Sequence, residues 1–348
     1  MSTPSEMTCV FCPGDHQIEV AQTAILDPGP GEMRIRTMTS AICGSDLHHY
    51  RTPQTVRAER GWSQYALGHE SSGIVDAVGP AVRYPSEGDR VVVFGLIGCG
   101  QCNHCRRGES MFCKQGQHFS RHQHGSDATY LVAPARTALP LPDDFDFEMG
   151  ALLSCNVGTA YGALRKSETS GDRTLAVFGL GPVGLACVLL GKARGTSVIG
   201  VDPSSERRRL ALDLGAVEAF DSSASDLTDK LRTWSDGEGL HATIDTSGQP
   251  SARRSAVDAL RVHGTYVEVG VGQDASISPS EQIIFKEITL RGSWLYKEYE
   301  WENLVDFVRR HQIPIKSLIT HRFKPEDAAE AFRLANTATA GKILFNWS

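Results

Sequence analysis

The chain has 348 residues, which suits two domains better than one, since single cores stop growing near roughly 250–300 residues. With 41% hydrophobic and 22% charged residues it has the composition of an ordinary globular protein, and a net charge of −6 argues against nucleic acid or an anionic membrane as partner. No apolar run approaches the ~18–20 residues of a membrane span, and the N-terminal segment lacks a basic stretch followed by an apolar one, so a cytoplasmic location is expected.

Residues 1–155 are rich in short β-like runs, such as 32–38, 72–79, 89–94 and 130–134, punctuated by turn signals at Asp27-Pro-Gly-Pro-Gly and Glu87-Gly-Asp. They predict an irregular, barrel-like β domain. Segment 51–66 is polar and carries no pattern that assigns it. Within this half, four of the nine cysteines fall in one loop, as Cys99-x2-Cys102-x2-Cys105-x7-Cys113. Disulfides are rare in a reducing compartment, and four thiolates in a short loop match a closed tetrahedral zinc site. Gly98, Gly100 and Gly108 supply the tight turns. A closed site has no free coordination position, so it holds the lobe together and performs no chemistry.

From about residue 156 strands and helices alternate. The expected order is strand 174–178, a helix through Lys192, strand 197–201, helix Ser205–Leu214, strand 241–246, helix 250–262 and strand 265–270. This predicts a doubly wound parallel sheet. An amphipathic helix at 302–311, a helix near 325–335 and a last strand from Lys342 follow. Between the first strand and helix stands Gly179-x-Gly181-x-x-Gly184, and Asp202 ends the next strand. That context makes the glycines a dinucleotide fingerprint: Gly179 for the turn, Gly181 for backbone approach to the pyrophosphate, Gly184 for helix–strand packing. Asp202 would bind the adenosine ribose and repel a 2′-phosphate, which favours NAD over NADP. Arg207 either reaches the ribose or is a solvated helix charge.

Three further places carry metal-ligand chemistry: Cys43 in Cys-Gly-Ser-Asp-Leu-His-His, His69 in Gly-His-Glu, and Cys155 in Leu-Ser-Cys-Asn-Val-Gly-Thr. Together with the glycine fingerprint, the four-cysteine lobe and the closing Gly341-Lys-Ile, they resemble the zinc-containing alcohol dehydrogenases of the medium-chain dehydrogenase/reductase superfamily over essentially the whole chain. The resemblance implies a GroES-like irregular β-barrel catalytic domain (1–155 and 294–348) carrying two zinc ions. It also implies a Rossmann NAD-binding domain (156–293). Cys43, His69 and Cys155 are then the catalytic zinc ligands, with a fourth position left for water or substrate. Glu70 is an acid behind the site, Asp46 orients His69, and Ser45 and His48 form a proton relay. Thr159, Pro182, Val183 and Val269 complete the cofactor-binding set.

The implied reaction is reversible hydride transfer between an alcohol and NAD, giving a ketone or aldehyde. Gly44 departs from members that place an arginine there against the pyrophosphate. Cys9, Cys12 and Cys187 match no family role and are expected to be simple thiols. His49 is either structural or substrate-lining. Arg51, Arg57, Arg60, His118, Arg121, His122 and His124 are either solvated loops or a polar cleft, and Trp294 and Tyr296 stand near the domain crossover. A polar cleft favours a polyol, sugar-derived or other secondary alcohol. Simple primary alcohols, and a zinc-independent quinone or enoyl reductase of the same fold, are the alternatives. The partner is a small molecule, and a homodimer or homotetramer is expected, paired through sheet edges near 266–271 and 276–284.

Overall fold

The computed structural model describes residues 5–348. Two large sheets organise them. The first has six parallel strands in the order Glu218–Phe220, Ser197–Val201, Thr174–Phe178, Leu240–Asp245, Leu260–Glu268 and Thr289–Gly292. The order reverses beside Thr174–Phe178, the crevice where doubly wound sheets bind ligands. From Leu175 to Phe178 that strand is apolar and buried, its alternate residues packing into two core clusters on the two faces of the sheet. Helix Pro182–Ala193 follows it, with Pro182 in the first turn, where a missing N–H costs nothing. Helix Ser205–Leu214 is capped by Ser204, whose hydroxyl accepts from the Arg207 amide at 3.3 Å.

The second sheet is mainly antiparallel. Strand Glu32–Ala41 lies at its centre and pairs with Ser71–Val78, Tyr130–Pro134 and the C-terminal strand Lys342–Asn346. Ile319–Phe323 flanks that last strand, and Arg90–Val93 and Ala138–Pro140 close the other side. The chain passes between the sheets through a nearly continuous helix. It runs Phe147–Leu152, then a π-helical turn Leu153–Val157, then Gly158–Ser167. One apolar cluster spans both sheets, joining Val92 and Phe94 to Leu175, Val177, Tyr296, Trp301 and Leu304. Helix Trp301–Arg310 contributes Trp301, Leu304, Val305 and Val308 to burial, the spacing of one helical face.

Several expectations are corrected. The unassigned segment contains helix Gln54–Glu59, preceded by helix Gly44–Arg51. The helix from Pro250 ends at Asp258, and the strand already begins at Leu260. That strand is interior, paired on both sides, so it offers no edge to a second copy. Nor is 276–284 a strand: Pro279–Ile284 forms a π-helical turn, because Pro279 has no N–H to give to a ladder. The sheet edge on this side is Thr289–Gly292.

Candidate active site

The π-helical turn is what brings Cys155 to the site. It inserts an extra residue into the helix just where the chain leaves the second sheet, a distortion often found at functional positions. Cys43 arrives as the N-cap of helix Gly44–Arg51, and His69 and Glu70 arrive just before strand Ser71–Val78. The ligand atoms of Cys43, His69, Glu70 and Cys155 all lie within 4.8 Å of one another. Asp46 sits 3.5 Å from His69 Nδ1 and also accepts from the Cys43 amide at 2.8 Å, so one buried carboxylate positions both residues.

The electrostatics suit a cation. A hydrogen bond with the Cys155 thiol, opposed by burial, holds the Cys43 thiol well below its ordinary range, and the same bond pushes Cys155 up. Burial disfavours a charged His69, yet Cys43 and Asp46 overcome it and raise His69 well above 6.5. A divalent metal takes thiolate and neutral imidazole, so binding at these donors would displace their protons. The donor set fits zinc.

A second set lies in the lobe, where the sulfurs of Cys99, Cys102, Cys105 and Cys113 also fall within 4.8 Å. Backbone amides of Gln101 and Cys102 donate to Cys99 Sγ at 3.4 and 3.3 Å, and hold its thiol down at about 6. A Cβ on Gly98 would stand 2.5 Å from Cys105 Sγ, so this glycine makes room for a sulfur, a packing role beside the turn expected of it.

The three fingerprint glycines divide their labour visibly. Gly179 has φ +85°, a conformation L side chains rarely adopt. A Cβ on Gly184 would meet Gly179 O at 1.9 Å. Gly181 has neither constraint: its nearest neighbour would be Arg207, at 3.9 Å. The missing side chain there leaves an open backbone cradle at the start of helix Pro182–Ala193, which fits a pyrophosphate. Val183 and Val269 are partly buried against the main core beside it.

Two family models match the chain. A model described as alcohol dehydrogenase GroES-like domain matches residues 29–143, and one described as zinc-binding dehydrogenase matches 182–310. An uncharacterized zinc-type alcohol dehydrogenase-like protein of Escherichia coli K12, YphC, is 31% identical, covering 98% of this chain and 99% of its own. The chain belongs to the zinc-type alcohol dehydrogenases. A probable D-xylulose reductase A of Neosartorya fischeri is also 31% identical, over 95% of this chain and 94% of its own. Among solved structures, the alcohol dehydrogenase rspB of Escherichia coli CFT073, complexed with NADH, superposes with a TM-score of 0.87 at 27% identity. It covers 99% of this chain and 100% of its own. This dehydrogenase is a zinc-dependent oxidoreductase acting on CH–OH donors with a nicotinamide cofactor.

Within this alcohol dehydrogenase, Ser45 and His48 lie exposed on helix Gly44–Arg51, and no hydrogen bond joins their side chains among the described residues. Thr159 is buried, its hydroxyl 3.9 Å from Cys155 Sγ. Asp202 is only 3% exposed and accepts from the amides of Leu180 at 2.7 Å and Ser204 at 2.8 Å, so its carboxylate also braces the glycine loop. Arg207 is turned towards Gly181 rather than out to solvent. His49 is buried, its ring nitrogens facing Arg57 and Arg121. Tyr296 is core, packed on Phe94 with ring centroids 5.4 Å apart, while Trp294 is half-exposed against Phe112 of the lobe at 6.0 Å. Cys9, Cys12 and Cys187 are buried free thiols.

One residue escaped the sequence reading. Lys342, from the C-terminal strand, is 1% exposed, forms an ion pair with the equally buried Glu70, and donates to Ile42 O at 2.9 Å. Burial still pushes the Glu70 carboxyl up to about 8 despite that partner. The Gly341-Lys-Ile match pointed to this strand but gave the lysine no role.

Proposed function

We propose that this dehydrogenase oxidises polyhydroxylated or other secondary alcohols with NAD, and reduces the corresponding ketones, at the Cys43–His69–Cys155 cluster. The convergence of those donors from three separate segments carries the reading. A zinc ion bound there supplies Lewis-acid polarisation of the substrate oxygen, and the nicotinamide supplies a hydride acceptor. Asp46 keeps the His69 ring in place, as carboxylates behind metal-binding imidazoles do. Ser45 and His48 take the hydroxyl proton outward, and the exposure of His48 lets it pass the proton to solvent. Lys342 balances the charge of Glu70 so that the carboxylate stays behind the donors. Gly181 cradles the pyrophosphate, Asp202 limits room for a 2′-phosphate, and Thr159, Val183 and Val269 border the cofactor.

The four-cysteine lobe would hold a second, structural zinc, giving two per chain. Residues 1–155 with 294–348 would form the catalytic domain, and 156–293 the nucleotide domain. The polar side chains near the donors favour a polyol over an apolar alcohol, in keeping with a curated relative named for D-xylulose. The test is a substrate panel with NAD and with NADP, followed by near-ultraviolet absorbance. Xylitol and sorbitol turned over faster than ethanol or benzyl alcohol, with NAD preferred, is the expected result. Preference for the simple alcohols would contradict the substrate class, and preference for NADP the cofactor.

A further inference from the structure

Two loops beside the donor cluster bring two cations onto one indole. The guanidinium carbons of Arg60 and Arg121 each lie 4.7 Å from the Trp62 ring centroid. Among the described residues neither arginine has a carboxylate within 4.0 Å, and the Arg60 guanidinium makes no hydrogen bond, although its backbone N–H donates to Val56 O at 3.2 Å. Arg121 reaches only His49, Nε to Nε2 at 3.2 Å. The other ring nitrogen of His49 is taken by Arg57, which is fully buried and also donates to Cys12 O at 2.7 Å and Trp62 O at 3.1 Å. A neutral imidazole accepts at one nitrogen only. One of the two guanidinium groups therefore faces an N–H, and Arg121, the less enclosed, is left short of an acceptor.

Both loops are tied to the donor residues. A Cβ on Gly95 would stand 3.3 Å from His69 Cδ2, and the adjoining strand Leu96–Ile97 pairs with Gln117–His118. Ser120 Oγ donates to Gly68 O at 3.3 Å. On the other side, His49 belongs to the helix that Cys43 caps, and its ring meets Trp62 edge-on at 5.4 Å. Two like charges on one aromatic platform repel each other, and an anion between them turns that repulsion into attraction. Guanidinium groups bind carboxylate or phosphate through paired N–H donors, and the indole face holds their planes in place beforehand.

We propose that Arg60, Arg121 and Trp62 form a subsite for the anionic group, carboxylate or phosphate, of a polyhydroxylated alcohol whose reacting hydroxyl lies at the Cys43–His69–Cys155 cluster. The proposal rests on the reading of that cluster as the site of alcohol oxidation. The test uses the zinc-loaded full chain with three matched probes: sorbitol, sorbitol 6-phosphate and gluconate. One anionic probe is expected to exceed sorbitol by about tenfold or more in kcat/KM, mainly through KM, with the advantage lost in Arg60→Gln and Arg121→Gln and partly restored by lysine at each position. Which probe wins separates phosphate from carboxylate. Sorbitol used as well as both anions, or a preference unmoved by either glutamine variant, overturns the subsite and leaves alcohol oxidation standing. Absence of turnover with every probe would count against alcohol oxidation itself. The subsite is then judged by titrating tryptophan fluorescence with inorganic phosphate and with acetate, using Trp62→Phe to assign the signal. A saturable change abolished in Arg121→Gln supports it, and no saturable change overturns it.

Discussion

Lys342 and Glu70 face each other with 1% exposure apiece, deep behind the donor cluster. Removing one partner of such a pair strands a buried charge, which costs about 3–5 kcal/mol. In urea denaturation well above pH 8, where Glu70 is ionised, Lys342→Met should therefore lose stability of that order, and the double variant with Glu70→Gln should recover most of it. A loss no larger than that of a surface substitution would show that the pair matters little. His49 gives a pH test. Burial, then Arg57 and Arg121, push its pKa down to about 3 from 6.5. Between those values the folded state binds fewer protons than the unfolded chain. Stability present above the unfolded value is thus lost as pH falls towards the folded one, by at most about 1.4 kcal/mol per pH unit. In paired denaturation series, His49→Gln should show a shallower acid loss than the parent, and identical slopes would contradict the assignment. The cysteines and His69 stood out in the sequence because few residue types make zinc ligands and their motifs are local, and the structure brings their donor atoms together. Lys342 was not: its partners lie about 300 positions away, and no local spacing reports a contact of that range. Trp62 went unremarked for the same reason, whereas Arg121 was named only as one of several cations of a polar cleft or solvated loop, with no partner assigned.

The glycine turn between Thr174–Phe178 and Pro182–Ala193 separates two roles that look alike in sequence. Gly184→Ala would drive a methyl into Gly179 O at 1.9 Å and should cost about 1–3 kcal/mol or more, visible as a lower Tm. Gly181→Ala meets nothing closer than 3.9 Å, so Tm should hold while NADH affinity, measured by fluorescence titration, falls about tenfold as the cradle fills. The reverse pattern would mean that the cofactor lies elsewhere. The lobe is a second element with its own test. It is docked on the segment after the Rossmann sheet, with Lys297 Nζ 4.1 Å from the Phe112 ring centroid and Ser110 bonded to Glu298. Cys102→Ser should lower the metal content by one zinc per chain and open the lobe to limited proteolysis; unchanged metal content would remove the structural-zinc proposal. Regular strands and helices were readable because apolar period and turn residues mark them. Residues 276–284 were misread as an edge strand because an apolar pair, Ile283-Ile284, follows a short polar run, whereas Pro279 forces a helical turn. Helix Gln54–Glu59 buries only Arg57 and so leaves no apolar stripe to find.

At the scale of the molecule, the last strand of the parallel sheet is an edge with no further strand beside it among the described residues, and apolar side chains remain exposed near it. Phe285 is 68% exposed, Ile284 61% and Leu290 43%. An open apolar edge invites pairing with another strand, and we expect a second copy of this chain to cover it. Light scattering should give a dimer or larger homo-oligomer, reduced towards monomer by Leu290→Lys; a monomer at all concentrations would contradict this. Among the described residues no helix is long and apolar enough to cross a membrane. The GroES-like and Rossmann architecture was legible because its motifs are spread in order along the chain. The return of residues 342–346 to the first half was implied only by resemblance, and strand pairing with Glu32–Ala41 is its physical form. The central claim is that the Cys43–His69–Cys155 cluster holds a zinc on which alcohol oxidation depends. The most direct test is NADH formation from a polyol, measured beside zinc content before chelation, after chelation and after zinc is restored. The account predicts two zinc ions per chain and turnover that is lost with the metal and returns with it. Equal turnover by the zinc-free chain would contradict it.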